Sequence, residues 1–335
     1  MIWKFIEVTP DIAGIAIRRQ SKMQRNLFDH FHKITKTDYE EILAETGLDM
    51  KAKKLELFYM DDNGNIKENP EMVAVARQKD GVYLGTVSKI YGLVQYDEVF
   101  QFSTILASDE FNSEYVSGGL IGSGEQAFLA MRTGEHVSLG GGDDIECYFY
   151  ISTSHNGKSN IDVVAAPLRK VNNTVLRMPD LRGFKFRHSK NVNVHLARAQ
   201  TGIAKVKNYW QTFEKSFQIL RSTRITDKQL DDYLKMVIEG TEDSTRAENM
   251  REEIKAIFRN EPTIAGLPST HGTLLGAYFS VVQYADFEST IRKSNKRDAV
   301  AAKLTSLIDG NAAKRKANGY AMALQLNQKL TGVSL

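Results

Sequence analysis

The sequence predicts an α+β protein, with an antiparallel β-meander in the middle of the chain followed by a long helix and a helical C-terminal half. Three observations carry this prediction. Segments rich in β-branched and aromatic residues recur between residues 114 and 167, and glycine-rich links separate several of them. After Pro179, apolar residues recur at spacings of three and four, which is the period of an amphipathic helix.

Four segments predict the strands of the meander: 114–120, 126–132, 145–152 and 161–167. Between the last two, Asn156-Gly157 predicts a tight type I′ turn, because that turn needs a positive φ at both central residues. Residues 83–87 predict a further strand before the meander. After the meander, the apolar stripe from Val192 to Trp210 predicts the long helix, starting near Ser189.

Several helix boundaries are marked in the sequence. Thr37 with Glu40 forms a predicted capping box, and Gly47 is the expected end of that helix. Asp97 is expected to cap a helix over residues 98–106. Thr226 with Gln229 forms a second predicted capping box. The helix after it is expected to end at Gly240, and further helices are predicted over 241–259, 270–292 and 299–330. We therefore divide the chain into a mixed N-terminal region (1–80), a meander-plus-helix core (81–225) and a helical C-terminal region (226–335).

Composition limits the class of protein. Hydrophobic residues at 42% and charged residues at 25% are typical of a soluble globular protein. A single cysteine, Cys147, excludes an intramolecular disulfide framework, and its place in a predicted strand favours a buried, inert thiol. No window predicts a signal peptide or a membrane span. We expect a cytoplasmic protein that does not bind membranes.

The net charge of +3 conceals an uneven distribution. Residues 151–225 contain 14 Lys or Arg and three acids, a net charge of +11, so the other 260 residues carry −8. Such asymmetry indicates a polyanionic partner for the basic region. A basic face that is simply solvated is the alternative.

The basic region interleaves cations with aromatic residues. In an extended conformation Phe184 and Phe186 share one face, and Lys185 and Arg187 share the other. Aromatic side chains that stack bases, beside cations that contact phosphates, are typical of sequence-tolerant single-strand binding. The alternative is that both phenylalanines form the core face of a strand. The predicted nucleic-acid-binding residues are Arg169, Lys170, Arg177, Arg182, Phe184, Lys185, Phe186, Arg187, Lys190, Arg198, Lys205 and Lys207.

Catalytic motifs are not found. The glycine-rich links match neither a P-loop nor a dinucleotide fingerprint, and no nucleophile elbow occurs. The seven scattered histidines do not predict a metal site. Asp143-Asp144, after three glycines, are interpreted as turn residues, and a metal-binding carboxylate pair is the alternative. We therefore predict no catalytic residue, cofactor or metal.

An ordered series of segments between about residues 80 and 330 resembles a known family. The series includes Leu84–Gln95, Gly142-Asp143, Ile151–Lys158, Pro167–Arg169, Asn173-Thr174, Phe186–His188, Gly272–Tyr278 and Tyr284–Asp286. It is similar to the phage/plasmid-like proteins of domain-of-unknown-function family nine hundred thirty-two. The run Arg169–Thr174 lacks the cysteine usual in that family, so no role for such a residue is expected. The resemblance implies a phage, plasmid or prophage origin in a bacterial host, without a settled activity.

Three hypotheses about function follow. The first is nucleic-acid binding in phage or plasmid DNA metabolism, as a single-strand-binding or annealing protein in recombination, because a meander followed by a helix is similar to the core of ring-forming annealing proteins. The second is a non-enzymatic interaction protein that binds a host or phage protein through its C-terminal helices. The third is an enzyme in which Asp143, Asp144 and His155 lie close together. A homo-oligomer is expected.

Overall fold

A computed structural model describes residues 32–108, 112–140, 142–177, 184–186, 210, 212–238, 245–265, 270–289, 306 and 310–333. The strands are β1 His32–Lys33, β2 Ala52–Met60, β3 Ile66–Arg77, β4 Tyr83–Ser88, β5 Glu114–Ile121, β6 Gln126–Ser138, β7 Asp144–Ser154, β8 Ile161–Arg169, β9 Thr174–Val175 and β10 Phe184–Phe186. The helices are α1 Tyr39–Thr46, α2 Tyr96–Phe100, α3 Phe102–Leu106, α4 residues 212–222, α5 Asp227–Val237, α6 Thr245–Ala265, α7 Leu274–Gln283 and α8 Asn311–Thr331. A π-helix, Tyr284–Glu288, follows α7 directly. The α+β class is confirmed.

In the described residues, the main sheet has the order β1-β5-β6-β7-β8-β10, and β9 also pairs with β8. Every pair is antiparallel. The strands β5 to β8 are neighbours both in sequence and in space, so the predicted meander is confirmed. All four strands extend at least one residue beyond their predicted ends. The long helix predicted from Ser189 to Trp210 lies almost entirely outside the described residues.

The central strands are buried on both faces. In β7, Cys147, Phe149 and Ile151 belong to the main core, which also contains residues from α1 to α8. Tyr148 and Tyr150 point to the opposite face, where a second cluster includes Ala285 and Ala312. Alternate residues of a strand face opposite ways, so burial of both sets explains why β7 is almost continuously apolar.

A second sheet of three antiparallel strands, β2-β3-β4, lies before the meander. The turn Asp61–Asn65 joins β2 to β3, and the Asp61 carboxylate accepts hydrogen bonds from the backbone N–H groups of Asn63 (3.0 Å) and Asn65 (2.9 Å). The sequence predicts this turn, but only short segments on each side of it. Because β4 pairs with β3, the small sheet crosses the predicted boundary at residue 80.

Helix ends test the sequence predictions directly. The capping box of Thr226 and Gln229 is present, and Gly47 ends α1 in the left-handed conformation. The N-cap of α1 is Asp38 rather than Thr37, because its carboxylate accepts from the backbone N–H groups of Glu40 and Glu41. The helix expected over 98–106 is instead two short helices, α2 and α3, with Gln95 at the first N-cap.

Other helices differ from their predicted limits. Helix α5 ends at Val237 rather than at residue 240, α6 extends to Ala265, and α7 begins at Leu274. No helix in the described part of the chain is both long and apolar enough to cross a bilayer.

Candidate functional site

The core of the basic region forms an edge of the main sheet. Strand β10 pairs with β8, and its other side carries no strand among the described residues. Phe184 lies opposite Val163, Lys185 opposite Asp162, and Phe186 opposite Ile161. The extended conformation predicted for this segment is therefore confirmed.

The register assigns these positions to the two faces of the sheet, because directly opposite residues share a face. Val163 and Ile161 are buried in the main core. By register, positions 184 and 186 thus share the face of Val163 and Ile161. Position 185 belongs to the other face, with Asp162. Base stacking by Phe184 and Phe186 stays a prediction.

Arg169 ends β8 and is fully buried. Its Nε donates to Oδ1 of Asp143 at 2.8 Å, and its Nη2 donates to Oδ2 at 2.6 Å. The guanidinium also lies over the ring of Phe279 in α7, 4.1 Å from the centroid. This bidentate ion pair joins the start of β7, the end of β8 and the C-terminal helices. Arg169 therefore has a structural partner where the sequence predicts a phosphate contact.

Lys170, the next residue, is exposed. Its Nζ lies 3.1 Å from Oε1 of Glu146, on the face opposite to that of Arg169. Of this adjacent pair, Lys170 is the residue that is accessible to an anionic ligand.

A second buried ion pair lies beside β9. Lys316, in α8, is fully buried, and its Nζ donates to Oδ1 of Asp286 at 2.8 Å and to the carbonyl of Val175 at 2.7 Å. Oδ2 of Asp286 accepts from the N–H of Val175 at 2.8 Å. Burial lowers the pKa of Lys316, and Asp286 opposes that shift. Lysine and aspartate together hold both backbone groups of Val175.

Sequence reasoning missed this second pair. Lys316 lies within the small-residue stripe of α8, between Ala313 and Gly319. Lys316 lies three residues from each of these small residues, so it falls on the buried face of the helix, and this position indicates a buried cation. The partner, 30 residues earlier, is identified only by the tertiary structure.

Arg177 is the last described residue before position 184. The Tyr278 hydroxyl donates to its carbonyl at 2.8 Å and accepts from its N–H at 3.1 Å. Burial raises the pKa of Tyr278, so this hydroxyl stays protonated and can make both hydrogen bonds. The backbone that leads into residues 178–209 is thus held at Val175 and again at Arg177.

The chain returns to the core at Trp210. This side chain is buried and packs edge-to-face on Phe213, with ring centroids 5.0 Å apart. Arg177 and Trp210 are therefore each held by core residues, and residues 184–186 pair with β8. The other predicted binding residues lie outside the described residues: Arg182, Arg187, Lys190, Arg198, Lys205 and Lys207.

The cluster required by the enzyme hypothesis does not form. Asp143 precedes β7 and His155 follows it, so the length of the strand, about 40 Å, separates them. The Asp143 carboxylate is occupied by Arg169, and no group of metal-ligating residues is found in the described part of the chain. Cys147 is buried, and burial raises the pKa of its thiol, as expected for an inert cysteine.

His155 instead helps to join the two sheets. Its ring stacks on Tyr96 with centroids 3.8 Å apart, and its Nε2 lies 3.0 Å from the carbonyl of Val94. The Tyr91 hydroxyl donates to the carbonyl of Ser154 at 3.0 Å. These contacts attach the residues after β4 to the end of β7.

The turn after β7 packs directly on β4. A Cβ at Gly85 would lie 2.7 Å from the Cα of Asn156, so only glycine admits this approach. The predicted type I′ turn is wrong, since Gly157 has a positive φ but Asn156 does not, and six residues separate β7 from β8. The longer loop follows from packing on the small sheet, which a two-residue turn would not reach.

The fold defines an α+β protein whose antiparallel meander carries a basic edge and is clamped by C-terminal helices. The family model described as "Domain of unknown function (DUF932)" matches residues 83–308, more than half of the chain. The chain belongs to this family. Neither the curated proteins nor the solved structures give a match.

Proposed function

We propose that the protein binds single-stranded nucleic acid in phage or plasmid DNA metabolism, through the basic segment of residues 169–207, and that it favours annealing of complementary strands. The observation that carries the proposal is the pairing of β10 with β8. It fixes the middle of the basic segment as an extended strand of the main sheet, and an extended strand can follow an extended polyanion.

Charge supports an anionic ligand. Residues 151–225 carry +11 in a chain of net charge +3. Lys170 is exposed at the end of β8, and Lys185 lies at the centre of the edge strand. Arg169 is left out of the binding surface, because Asp143 already neutralises it inside the protein.

The buried ion pairs support the same proposal indirectly. They fix Val175 and the end of β8, and the Tyr278 hydroxyl fixes Arg177. A cationic strand that is already paired to a sheet loses less conformational freedom on binding than a free tail does. Cations that contact the phosphates and not the bases would leave the bases free to pair with a second strand.

Fluorescence anisotropy with a labelled oligonucleotide tests binding. We expect affinity to fall with salt, with a log–log slope of about −0.7 for each phosphate contact. The double variant Lys185→Glu, Arg187→Glu is expected to weaken binding and to reduce the steepness of this dependence by about 1.4, for two lost contacts. The double variant Lys79→Glu, Lys329→Glu reverses two exposed lysines outside the basic segment, so it is the matched charge reversal and should bind like the wild type.

Two outcomes would contradict the proposal. One is the absence of binding by the wild-type protein at low salt. The other is an equal loss of affinity in the two double variants, which would mean that net charge matters and the sheet edge does not. Annealing is measured separately, with two complementary labelled strands and a non-complementary pair as control.

A further inference from the structure

The edge of β2 that faces away from β3 is bonded to the Gln95 side chain at Ala52 and carries no neighbouring described strand beyond it. At Ala52, the backbone N–H donates to Oε1 of Gln95 at 2.9 Å, and the C=O accepts from its Nε2 at 3.0 Å. The C=O of Lys51 instead accepts from Gln78 on the β3 side. Backbone groups of successive strand residues alternate in direction, so those of Lys54 and Glu56 also point outward. Among the described strands, none pairs with this edge.

Exposed apolar side chains surround the open edge. Leu55 is 40% exposed, Phe58 54%, Met60 69% and Ile66 72%. Strand β4 pairs only with residues 72–76 of β3, so the outer part of the β2–β3 hairpin is a two-stranded arm. Exposed apolar residues on an open-edged arm are typical of a surface that pairs with another chain.

We propose that the outer edge of β2 pairs antiparallel with β2 of a second copy of this chain, about a two-fold axis at Leu55. In this register Lys54 lies opposite Glu56 of the second copy, and by symmetry Glu56 lies opposite its Lys54. The backbone N–H and C=O groups of Lys54 and of Glu56 point away from β3, so each Lys54–Glu56 pair exchanges two backbone hydrogen bonds. The two small sheets then form one continuous sheet of six strands.

The sequence of the edge is the reason for choosing a second copy. Lys54-Leu55-Glu56 is complementary to itself when reversed, because a positive charge meets a negative one on each side of the axis. Within one copy the Lys54 Nζ donates to the carbonyls of Lys89 and Tyr91, and in the dimer it exchanges one of these bonds for the carboxylate of Glu56 of the second copy. Leu55 faces Leu55 of the second copy in the pair that lacks hydrogen bonds, where side chains approach most closely. The pairing ends at Ala52 of each copy, because Gln95 already holds the outward backbone groups of that residue, so the register covers residues 54–56.

A charge swap tests the register. Sedimentation velocity on the full-length protein should show a concentration-dependent dimer. Glu56→Lys places lysines opposite each other at both pairs, and Lys54→Glu places glutamates there, so each variant alone should dimerise at least about tenfold more weakly. An equimolar mixture restores both opposite-charge pairs and should recover the dimer. Val333→Glu, at an exposed apolar residue just after α8 and outside the small sheet, should dimerise like the wild type.

Far-UV circular dichroism and the Tm of each variant confirm folding before the comparison. A wild-type monomer at tens of micromolar would overturn the proposal and would mean that the edge lysines keep β2 unpaired. A dimer that survives both single variants would also overturn it, since the two-fold would then lie elsewhere. Recovery in the mixture, but in neither variant alone, identifies the β2 edge.

Discussion

The two ends of β7 are attached to the rest of the molecule by different interactions. At its start, Asp143 forms a buried bidentate ion pair with Arg169, beneath Phe279 of α7. At its end, His155 stacks on Tyr96, and the backbone of Asn156 packs on Gly85. The first attachment depends on charge and the second on shape and neutral hydrogen bonds.

The two attachments differ in sensitivity. A buried ion pair contributes little net stability, yet removing one partner leaves an uncompensated charge and costs several kcal/mol. Where neutral groups are closely packed, adding a methyl group or removing one hydrogen bond lowers the free energy of unfolding by a smaller amount. The charged end should therefore respond to loss of one partner, and the neutral end to added volume.

The largest effect is expected for Arg169→Met. It leaves the Asp143 carboxylate buried without its guanidinium, so the free energy of unfolding in urea should fall by about 3–5 kcal/mol. Lys170→Met, the adjacent and exposed partner of Glu146, should change it by about 1 kcal/mol or less. The double variant Arg169→Met, Asp143→Leu should recover much of the loss. Equal effects at residues 169 and 170 would contradict the structural role of Arg169.

At the neutral end, Gly85→Ala should lower the free energy of unfolding by about 1–3 kcal/mol, because the new methyl group meets the backbone of Asn156. Gly134→Ala is the matched control within a strand. Its Cβ would meet only the Asn112 side chain, at 3.8 Å, so stability should hardly change. Equal stability in the two variants would show that β4 does not pack on the turn after β7.

Alkaline pH tests the second buried ion pair, Lys316 with Asp286, which the neutral end of β7 lacks. Burial lowers the pKa of Lys316 below its ordinary 10.5, so between the lowered value and 10.5 the unfolded chain binds more protons than the folded one. The Lys316 contribution to stability therefore rises with pH in that window, by at most about 1.4 kcal/mol per pH unit. The free energy of unfolding in urea is measured at several pH values for the wild type and for Lys316→Met. The difference between their slopes against pH gives the Lys316 contribution. Equal slopes in the wild type and in Lys316→Met would contradict a lowered pKa of Lys316.

The smallest effect is expected for Tyr91→Phe, which removes the hydrogen bond to the Ser154 carbonyl and should cost about 0.5–1.5 kcal/mol. Tyr83→Phe removes an exposed bond to Thr86 and should cost less. Thermal unfolding of both variants gives the comparison. A larger loss at residue 83 would mean that the bond between the sheets contributes little.

Local patterns were sufficient for much of the fold. The strands β5 to β8 follow from apolar and β-branched runs between glycine links, and the start of α5 follows from Thr226 and Gln229. Of the small sheet only β4 was predicted, from residues 83–87. Strands β2 and β3 were not predicted as full strands, because β3 opens with the polar run Lys67–Glu71, which contains Pro70, and its pairing with β2 is irregular between Glu56 and Phe58. The type I′ turn failed because packing against Gly85 outweighed a local turn preference.

The sequence alone determined the class of fold, the order of the meander and the concentration of positive charge in residues 151–225. These depend on properties of neighbouring residues: side-chain alternation, capping and local charge. Only the tertiary structure decided that Arg169 is paired inside the protein while Lys170 is exposed, and that Lys316 meets Asp286. Burial and pairing are set by which distant segments pack together, and adjacent residues of a strand face opposite environments.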